Sequence, residues 1–346
     1  MKKAISYKDS GVDIKAADLA KRKIKSLARS TFTPQVLSEL GTFGGFYALE
    51  KKYKDPVLIS STDSVGTKLK VAFMMRKHTT VGQDIVNHCV NDILVHGARP
   101  LFFLDYLGTG RLSPLVVEDI VKGLSLACKK AGCALIGGEM AELPGLYKPG
   151  EYDLAGFVVG VVEKRKVIDG RRIKPGDQIL GLRSSGLHTN GYSLARKVIF
   201  ELGKFKVNDF LTELKTTVGN ELLKIHKSYL DPVHQVLRDH EVKGMAHITG
   251  GGIPGNLIRI LPENCKALID VKTWKPQPVF PFIQRLGNID PQEMYRVFNM
   301  GIGWIMVISR KEKASIEKKL GKLKQRVYHI GEIASGKRKV RLMNLS

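Results

Sequence analysis

Strand-sized apolar segments that run directly into acidic or glycine-rich sequence recur along this chain, and they limit its fold more than any other feature. PVLISST at 56–62 leads into Asp63, and Leu101–Leu107 is a second apolar strand. Between them, apolar residues at Val81–His96 recur at the spacing of an amphipathic helix. Strands alternating with helices in this way predict an α/β (α+β) protein.

The length of 346 residues is enough for about two domains. The basic, turn-like stretch IDGRRIKPG at 168–176 interrupts the pattern, and Gln178–Leu182 starts a second series of strands and helices. The sequence predicts one of these helices over Leu222–Asp239. We therefore predict an N-terminal domain over residues 1–170 and a C-terminal α/β domain over residues 171–346.

The apolar segments and the cysteines indicate the compartment. No apolar run approaches the ~18 residues that span a bilayer, and the N-terminal sequence MKKAISYKDS lacks the apolar core of a signal peptide. The four cysteines show no CxxC spacing, so we expect buried thiols rather than disulfides. These features predict a cytoplasmic protein with no membrane partner.

The formal net charge of +23 raises the question of nucleic-acid binding. Residues 1–30 and 311–346 together supply +14 of that charge, so much of it lies away from the motifs described below. No basic run interleaved with aromatic residues is present. We expect a basic surface on a protein that handles anionic small molecules, and no specific nucleic-acid partner. A non-catalytic nucleic-acid or anion binder is the alternative.

Three acidic residues lie where predicted elements meet loops. Asp63 ends an apolar strand in STDSVGTK, and Lys68 follows it as a candidate phosphate contact. Asp92 lies on the 81–96 helix with His88 four residues earlier on the same face, and Glu139 follows two glycines. Mg²⁺ prefers a few carboxylates together with phosphate oxygens. The alternatives are a capped turn at Asp63 and a structural pairing of Asp92 with His88.

Two polar loops are candidate anion sites. SSGLHTNGYS at 184–193 joins a strand to a helix, where backbone N–H groups attract anions, and His188 within it could move protons. HITGGG at 247–252 is a weaker signal for a phosphate near the backbone. Asn299, before MGIG, could hold a loop or a ligand. The chain lacks a P-loop, a GxGxxG fingerprint, a GxSxG elbow and an HExxH helix.

Taken in order, the motifs closely resemble those of one family. They are SYKDSGVDI, STDSVGTKLK, NDILVHGARP, FFLDYLGTG, GCALIGGE, SSGLHTNGYSLARKV, AHITGGG and EMYRVFNMGIG. The chain resembles the aminoimidazole ribonucleotide synthetases, the phosphoribosylformylglycinamidine cyclo-ligases of purine biosynthesis, from Ser6 to about Glu332. It also looks related to thiamine-monophosphate kinase, selenophosphate synthetase and a hydrogenase maturation protein.

The resemblance implies an architecture and a reaction. Residues 1–170 would form an ATP-binding and dimerisation domain whose four-stranded sheet closes into a barrel across a homodimer, beside the C-terminal α/β domain. With ATP and Mg²⁺, the enzyme would phosphorylate the formyl oxygen of formylglycinamidine ribonucleotide. Ring closure would then give aminoimidazole ribonucleotide, ADP and phosphate.

The resemblance also implies a role for individual residues. Catalysis would involve His188 and Lys25. Nucleotide and Mg²⁺ binding would involve Gly44, Gly45, Asp63, Lys68, Asp92, Gly97 and Glu139, of which Asp63, Asp92 and Glu139 would hold the metal. Substrate binding would involve Ser185, Asn190, Thr249, Gly250 and Gly251. The glycine-rich segment Gly41–Phe46 would close over ATP.

Overall fold

The computed structural model describes residues 5–345 and divides into two compact units. The N-terminal unit comprises the chain up to Ile93 together with Arg99–Glu163, and the C-terminal unit comprises Leu94–Ala98 together with the chain from Lys164 onward. The division at Glu163 comes before the boundary predicted at residue 170. Two domains of mixed α/β structure are present, as the sequence predicts.

A four-stranded sheet in the order β1–β4–β2–β3 forms the centre of the N-terminal unit. Only β2 and β3 run parallel, and the other neighbours are antiparallel. The strands are β1 (Pro56–Ser64), β2 (Arg99–Thr109), β3 (Ala134–Glu142) and β4 (Tyr152–Glu163). β3 continues through Gly137, Gly138 and Glu139, where the sequence predicted a loop.

Helices cover one face of this sheet. They are α1 (Ile14–Arg29), α2 (Leu69–Met75), α3 (Thr79–Leu94) and α4 (Pro114–Ala131). A Cβ atom on Gly156 of β4 would lie 2.8 Å from Ile85 of α3 and 2.3 Å from Phe103 of β2, so α3 packs closely on that face. α1 packs against α4.

The opposite face of the sheet keeps apolar side chains exposed. Leu58 of β1 is 62% exposed and Phe157 of β4 is 43% exposed. Because side chains alternate between the two faces of a strand, these residues lie on the face away from Asp63 and Gly156. Exposed apolar side chains on a sheet face are typical of a surface that another element or molecule covers.

The C-terminal unit contains a six-stranded sheet in the order β12–β9–β11–β5–β10–β8. Its pairs are antiparallel except for β12 with β9. The strands are β5 (Gln178–Arg183), β8 (Gly244–His247), β9 (Cys265–Asp270), β10 (Ile302–Ile308), β11 (Val327–Ser335) and β12 (Lys339–Met343), and β6 (Phe210–Leu211) pairs separately with β7 (Thr216–Thr217). Every residue of β10 is buried.

The helices of the C-terminal unit are mostly short. They are α5 (Tyr192–Arg196), α6 (Val218–Leu222), α7 (Leu230–Asp239), α8 (Gly252–Leu257), α9 (Val279–Gly287), α10 (Pro291–Val297) and α11 (Lys313–Lys322). The predicted single helix over Leu222–Asp239 is wrong, because α6 ends at Leu222 and α7 begins at Leu230. The intervening non-helical segment contains His226 and Tyr229, both fully buried.

The remaining general predictions concern membranes and cysteines. Among residues 5–345, none of the helices is both long and apolar enough to cross a lipid bilayer. Cys89, Cys128, Cys133 and Cys265 are buried free thiols, as predicted.

Candidate active site

Asp63 and Asp92, which are far apart in sequence, both approach the imidazole of His88 in the N-terminal unit. His88 Nε2 lies 2.8 Å from Asp63 Oδ2 and 3.8 Å from Asp92 Oδ2. The strand β1 brings Asp63 to the start of the loop before α2, and one helical turn separates His88 from Asp92 on α3. The structure thus brings together two of the three predicted metal-binding acids, with His88 as their shared partner.

Further hydrogen bonds orient both carboxylates. The backbone N–H of Ser64 donates to Asp63 Oδ1 at 2.7 Å, and the Ser61 hydroxyl donates to Asp92 Oδ2 at 3.3 Å. The Asp63 side chain is 38% exposed and that of Asp92 is 27% exposed, whereas that of His88 is 3% exposed. A solvent-facing pair of carboxylates therefore lies above a buried imidazole.

Burial and charge act in opposite directions on His88. Burial alone lowers the pKa of this imidazole, but the hydrogen bond to Asp63 and the charges of Asp92, Asp63 and Asp84 outweigh it and raise the pKa. The imidazolium form is therefore favoured while both carboxylates are ionised, and it offsets part of their mutual repulsion.

The Lys68 side chain is fully buried and does not face solvent. Its ammonium lies 2.7 Å from a carboxylate oxygen of Asp84 on α3, which is also fully buried. Burial lowers the pKa of Lys68, and the charge of Asp84 opposes that change. The sequence predicted that the Lys68 ammonium contacts a phosphate. In the structure this ammonium pairs with the Asp84 carboxylate.

Glu139 does not join Asp63 and Asp92. Asp63, Gly156, Asp105 and Gly138 form one transverse row across the four strands. Glu139 follows Gly138, so its side chain projects from the other face of the sheet. Three strand spacings of about 4.8 Å also place it roughly 14 Å from Asp63 along the row. Within this unit, Glu139 and Asp63 are not positioned to share one ion.

The glycine-rich segment lies beside β3. A Cβ atom on Gly45 would come within 2.8 Å of Ile136 Cδ1, whereas Gly44 has open space around it. Phe43 is fully exposed. Lys25 is exposed on α1.

His188 occupies a constrained position in the loop between β5 and α5 of the C-terminal unit. Its φ of 63° is in the left-handed region, and its ring is almost completely buried. The backbone N–H of Ser185 donates to His188 Nε2 at 3.2 Å, which places the proton of the neutral imidazole on Nδ1. A Cβ atom on Gly303 of β10 would lie 2.5 Å from His188 Cε1, so only glycine leaves room for this ring.

A buried polar network fixes the loop that carries His188. Ser184 Oγ donates to Asn299 Oδ1 at 3.1 Å, and Asn299 Nδ2 donates to the Gly186 carbonyl at 2.9 Å. Gln277 Nε2 donates to the Ser184 carbonyl at 2.7 Å. Of the two roles predicted for Asn299, the structure shows that of holding a loop.

His226 and His247 surround His188, and sequence reasoning did not identify this cluster. The rings of His188 and His226 stack with centroids 4.1 Å apart, and His226 Nε2 lies 2.9 Å from His247 Nε2. The incorrect helix prediction over 222–239 concealed His226. A histidine among apolar residues in LLKIHKSYL was the available signal.

The remaining predicted substrate residues lie in neighbouring loops of the same unit. Asn256 Nδ2 donates to the carbonyl oxygens of Thr249, Gly250 and Gly252, which fixes the glycine-rich turn. A Cβ atom on Gly250 would lie 3.4 Å from Asn190 Oδ1, so this turn meets the His188 loop. The hydroxyl of Ser185, another of these residues, donates to the Ile225 carbonyl at 2.6 Å.

Two family models match the chain over most of its length. Residues 48–162 match the N-terminal domain of AIR synthase related proteins, and residues 174–343 match their C-terminal domain. A phosphoribosylformylglycinamidine cyclo-ligase of Pseudothermotoga lettingae is 56% identical over 97% of this chain and 98% of its own length. The corresponding protein of Syntrophotalea carbinolica is 52% identical over 96% of this chain and 95% of its own length.

Solved structures share the fold at low sequence identity. A thiamine-monophosphate kinase from Stenotrophomonas maltophilia aligns with a TM-score of 0.71 at 14% identity, covering 94% of this chain and 96% of that one. A hydrogenase maturation protein in complex with ATP aligns with a TM-score of 0.65 at 17% identity, covering 93% of this chain and 90% of that one.

Proposed function

The chain belongs to the phosphoribosylformylglycinamidine cyclo-ligases, the AIR synthase family, and we propose a route for its reaction through a phosphorylated formamide. Its activity is the ATP-dependent cyclisation of formylglycinamidine ribonucleotide to aminoimidazole ribonucleotide in purine biosynthesis, with release of ADP and phosphate. The relatives' shared name is that of an enzyme, so a purely non-catalytic binding role is set aside.

The proposed route has two steps. The formyl oxygen attacks the γ-phosphorus of ATP, and the bond from that phosphorus to ADP breaks. The nitrogen that closes the ring then attacks the activated carbon and loses a proton, and the carbon–oxygen bond breaks to release phosphate. Phosphorylation makes a poor amide electrophile reactive, and intramolecular ring closure needs mainly correct positioning.

The observation that carries the proposed nucleotide site is the convergence of Asp63 and Asp92 on His88. Their partly exposed carboxylates supply the oxygen ligands that Mg²⁺ prefers, so the donor set fits this ion. When bound, Mg²⁺ would neutralise charge on the transferring phosphoryl group. We assign the metal to Asp63 and Asp92, and Glu139 to a separate nucleotide contact, because it projects from the opposite face of the sheet.

We assign the other predicted nucleotide contacts to Gly44, Gly45 and Gly97, and we retain Lys25 as an exposed cation for the phosphates. Open space around Gly44 allows a nucleotide to approach the backbone there. Lys68 supports the site indirectly, because its buried bond to Asp84 joins the segment after Asp63 to α3.

We propose His188 as the group that moves a proton during ring closure. In the neutral ring Nδ1 holds the proton and Nε2 holds the lone pair that accepts from the Ser185 N–H, so Nε2 is the nitrogen that can take the proton lost by the ring-closing nitrogen. The substrate would lie against the loops that contain Ser185, Asn190 and Thr249–Gly251, where Asn190 meets Gly250.

We also propose a homodimer, in which the four-stranded sheets of two copies form a barrel. Leu58 and Phe157 on the uncovered face would then become buried, and the edge strand β1 would gain a partner. In this assignment residues 1–170 provide ATP binding and dimerisation. Four buried free thiols support a reducing cytoplasm as the compartment.

An isotope experiment tests the phosphorylated intermediate. The substrate is prepared with ¹⁸O in its formyl group and is incubated with enzyme, ATP and Mg²⁺. The proposed route transfers that oxygen to the released phosphate, which mass spectrometry detects. Phosphate without the label would overturn the intermediate, and ADP release that does not require the substrate would contradict the coupled reaction.

A further inference from the structure

We propose that the C-terminal unit contains a transition-metal site formed by His188, His226 and His247. One ring nitrogen from each histidine lies within 4.8 Å of the others, and all three side chains are buried. The three residues come from separate segments: the loop after β5, the link between α6 and α7, and the end of β8. The fold therefore brings three imidazoles from distant parts of the sequence close together.

The spacing of two of the three nitrogens is close to that of a tetrahedral site. Zinc–nitrogen bonds of about 2.0–2.1 Å place neighbouring ligand nitrogens roughly 3.3 Å apart. His226 Nε2 and His247 Nε2 are 2.9 Å apart, so the pair needs to open by only a few tenths of an ångström. The His188 ring stacks on that of His226 with centroids 4.1 Å apart, so it must turn out of this stack to direct a nitrogen at the same ion.

The hydrogen bond between His226 and His247 indicates what a metal would replace. Two imidazole nitrogens at 2.9 Å require one N–H donor and one unprotonated acceptor. A metal ion takes the place of the shared proton, which moves to the Nδ1 of the histidine that donated it, so that both Nε2 atoms present lone pairs. Because protonation of any of the three imidazoles competes with the metal, binding is expected to strengthen with rising pH.

Neighbouring groups orient the rings as partners of metal-bound histidines commonly do. Thr189 Oγ1 lies 3.2 Å from His226 Nδ1, which leaves Nε2 directed at His247. Gly303 leaves the space that the His188 ring occupies, and β8 holds His247 beside Trp304 of β10. Three protein ligands also leave a fourth position for water or another ligand.

The donor set determines which ions fit. Neutral imidazoles favour Zn²⁺, Co²⁺ and Ni²⁺, whereas Mg²⁺ prefers oxygen ligands. Each of the three ligands in the proposed site is an imidazole. The site therefore differs in chemistry from the pair Asp63 and Asp92, and the Mg²⁺ of the reaction should not compete for it.

A metal ion bound at this site is expected to inhibit catalysis, and this expectation rests on the proposed function of His188. An imidazole bound to a metal through the nitrogen that moves the proton cannot act as an acid or base. Micromolar Zn²⁺ is then expected to inhibit cyclisation in the presence of excess Mg²⁺, and a chelator should restore the rate.

Cobalt binding tests the site without reference to activity. The full-length protein, without a histidine affinity tag, is stripped with a chelator and titrated with Co²⁺ while its visible spectrum is recorded. We expect one Co²⁺ per chain with the intense ligand-field absorption of a tetrahedral site, displaced by Zn²⁺. Weak absorption typical of six-coordinate Co²⁺, or no saturable binding, would overturn the proposal.

A matched pair of variants identifies the ligands. His226→Gln should weaken Co²⁺ binding at least about 10-fold, whereas His240→Gln should leave it unchanged, because His240 pairs with Glu312 elsewhere in the unit. Equal affinity in both variants would exclude the cluster. X-ray absorption of the zinc-loaded parent protein is the check that needs no variant: three imidazoles in the first shell are expected, and any other shell refutes the site.

The tests of the metal site and of the proposed function are separate. If Co²⁺ binds as expected but Zn²⁺ does not inhibit, the metal site stands and the proton-transfer role of His188 fails. If Co²⁺ does not bind, the metal site fails while the activity of the metal-stripped enzyme with Mg²⁺ still tests the reaction.

Discussion

Asp63 and Asp105 lie on the same face of the N-terminal sheet in one transverse row, with only Gly156 between them. Their surroundings differ greatly. Asp63 is 38% exposed beside His88, whereas burial raises the pKa of Asp105 to about 7. Two aspartates in one row of the sheet therefore differ in charge state: Asp63 can bind a cation, whereas Asp105 is neutral at slightly acidic pH.

Asp105 gives the N-terminal unit a specific pH dependence. An unfolded aspartate has a pKa of about 3.9, so the native state binds the extra proton between about pH 4 and pH 7, and stability falls as the pH rises through that window. The slope is at most about 1.4 kcal/mol per pH unit. Asp105→Asn should remove this loss of stability. The difference in melting temperature between the variant and the parent should therefore shift in favour of the variant as the pH rises from 5 to 8.

Asp18→Asn is the matched control, since it removes the same charge from an exposed position on α1. Its melting temperature should follow the parent at every pH. Parallel curves for Asp105→Asn and the parent would show that Asp105 is ionised throughout this range.

Asp92 should be required for Mg²⁺-dependent use of ATP. Asp92→Asn keeps the side-chain shape and an oxygen that can accept from Ser61, but it removes the charge. We expect a cyclisation rate at least about 100-fold lower, partly recovered at high Mg²⁺, with a melting temperature near that of the parent. ADP release measured against Mg²⁺ concentration is the readout, and Asp18→Asn again serves as the control. Parental activity in Asp92→Asn would remove Asp92 from the site.

The association of Asp63 with Asp92 was predictable from sequence, whereas the neighbours of several other residues were not. Each of these acids lies at the end of a predicted element, and His88 shares a helix face with Asp92. The buried pairing of Lys68 was not predictable, because only the folded structure brings Asp84 next to it in the core. The orientation of Glu139 was not predictable either, because it depends on β3 continuing through two glycines, which determines the face from which its side chain projects.

The histidine cluster shows a different limit of sequence reasoning. Apolar residues at 222–239 fit a helical pattern well enough to suggest one continuous helix. Tertiary packing overrides that preference at 223–229, since His226 and Tyr229 become fully buried there. A local pattern cannot reveal that three histidines from distant segments meet, because only long-range strand pairing fixes their separation.

The homodimer predicts a response to charge on the uncovered sheet face. Leu58→Asp should place a carboxylate in the proposed barrel and shift the protein toward monomer, whereas Leu202→Asp, at an exposed position in the C-terminal unit, should not. Light scattering at micromolar concentration measures the mass of each. A parent protein that is already monomeric would contradict the dimer.

Gly303 should be required for the position of His188. A Cβ atom there would lie 2.5 Å from His188 Cε1 and 2.3 Å from the Tyr229 hydroxyl. Gly303→Ala is therefore expected to lower both the cyclisation rate and the melting temperature. Gly321→Ala, on the open surface of α11, should instead raise stability by roughly 0.5–1 kcal/mol and leave the rate unchanged. A Gly303→Ala enzyme with parental rate and stability would show that the ring does not need its present position.

His188 itself should affect turnover much more than binding. His188→Ala removes the proposed proton-transfer group, and loss of such a group costs on the order of 100- to 10,000-fold in rate. The loss should appear in kcat, with little change in the KM for ATP or for formylglycinamidine ribonucleotide, because the interaction exists mainly in the transition state. His188→Gln, which can still accept from the Ser185 N–H, separates loop support from chemistry: it should regain the melting temperature but not the rate. A folded variant within a few-fold of the parental kcat would make His188 a structural residue.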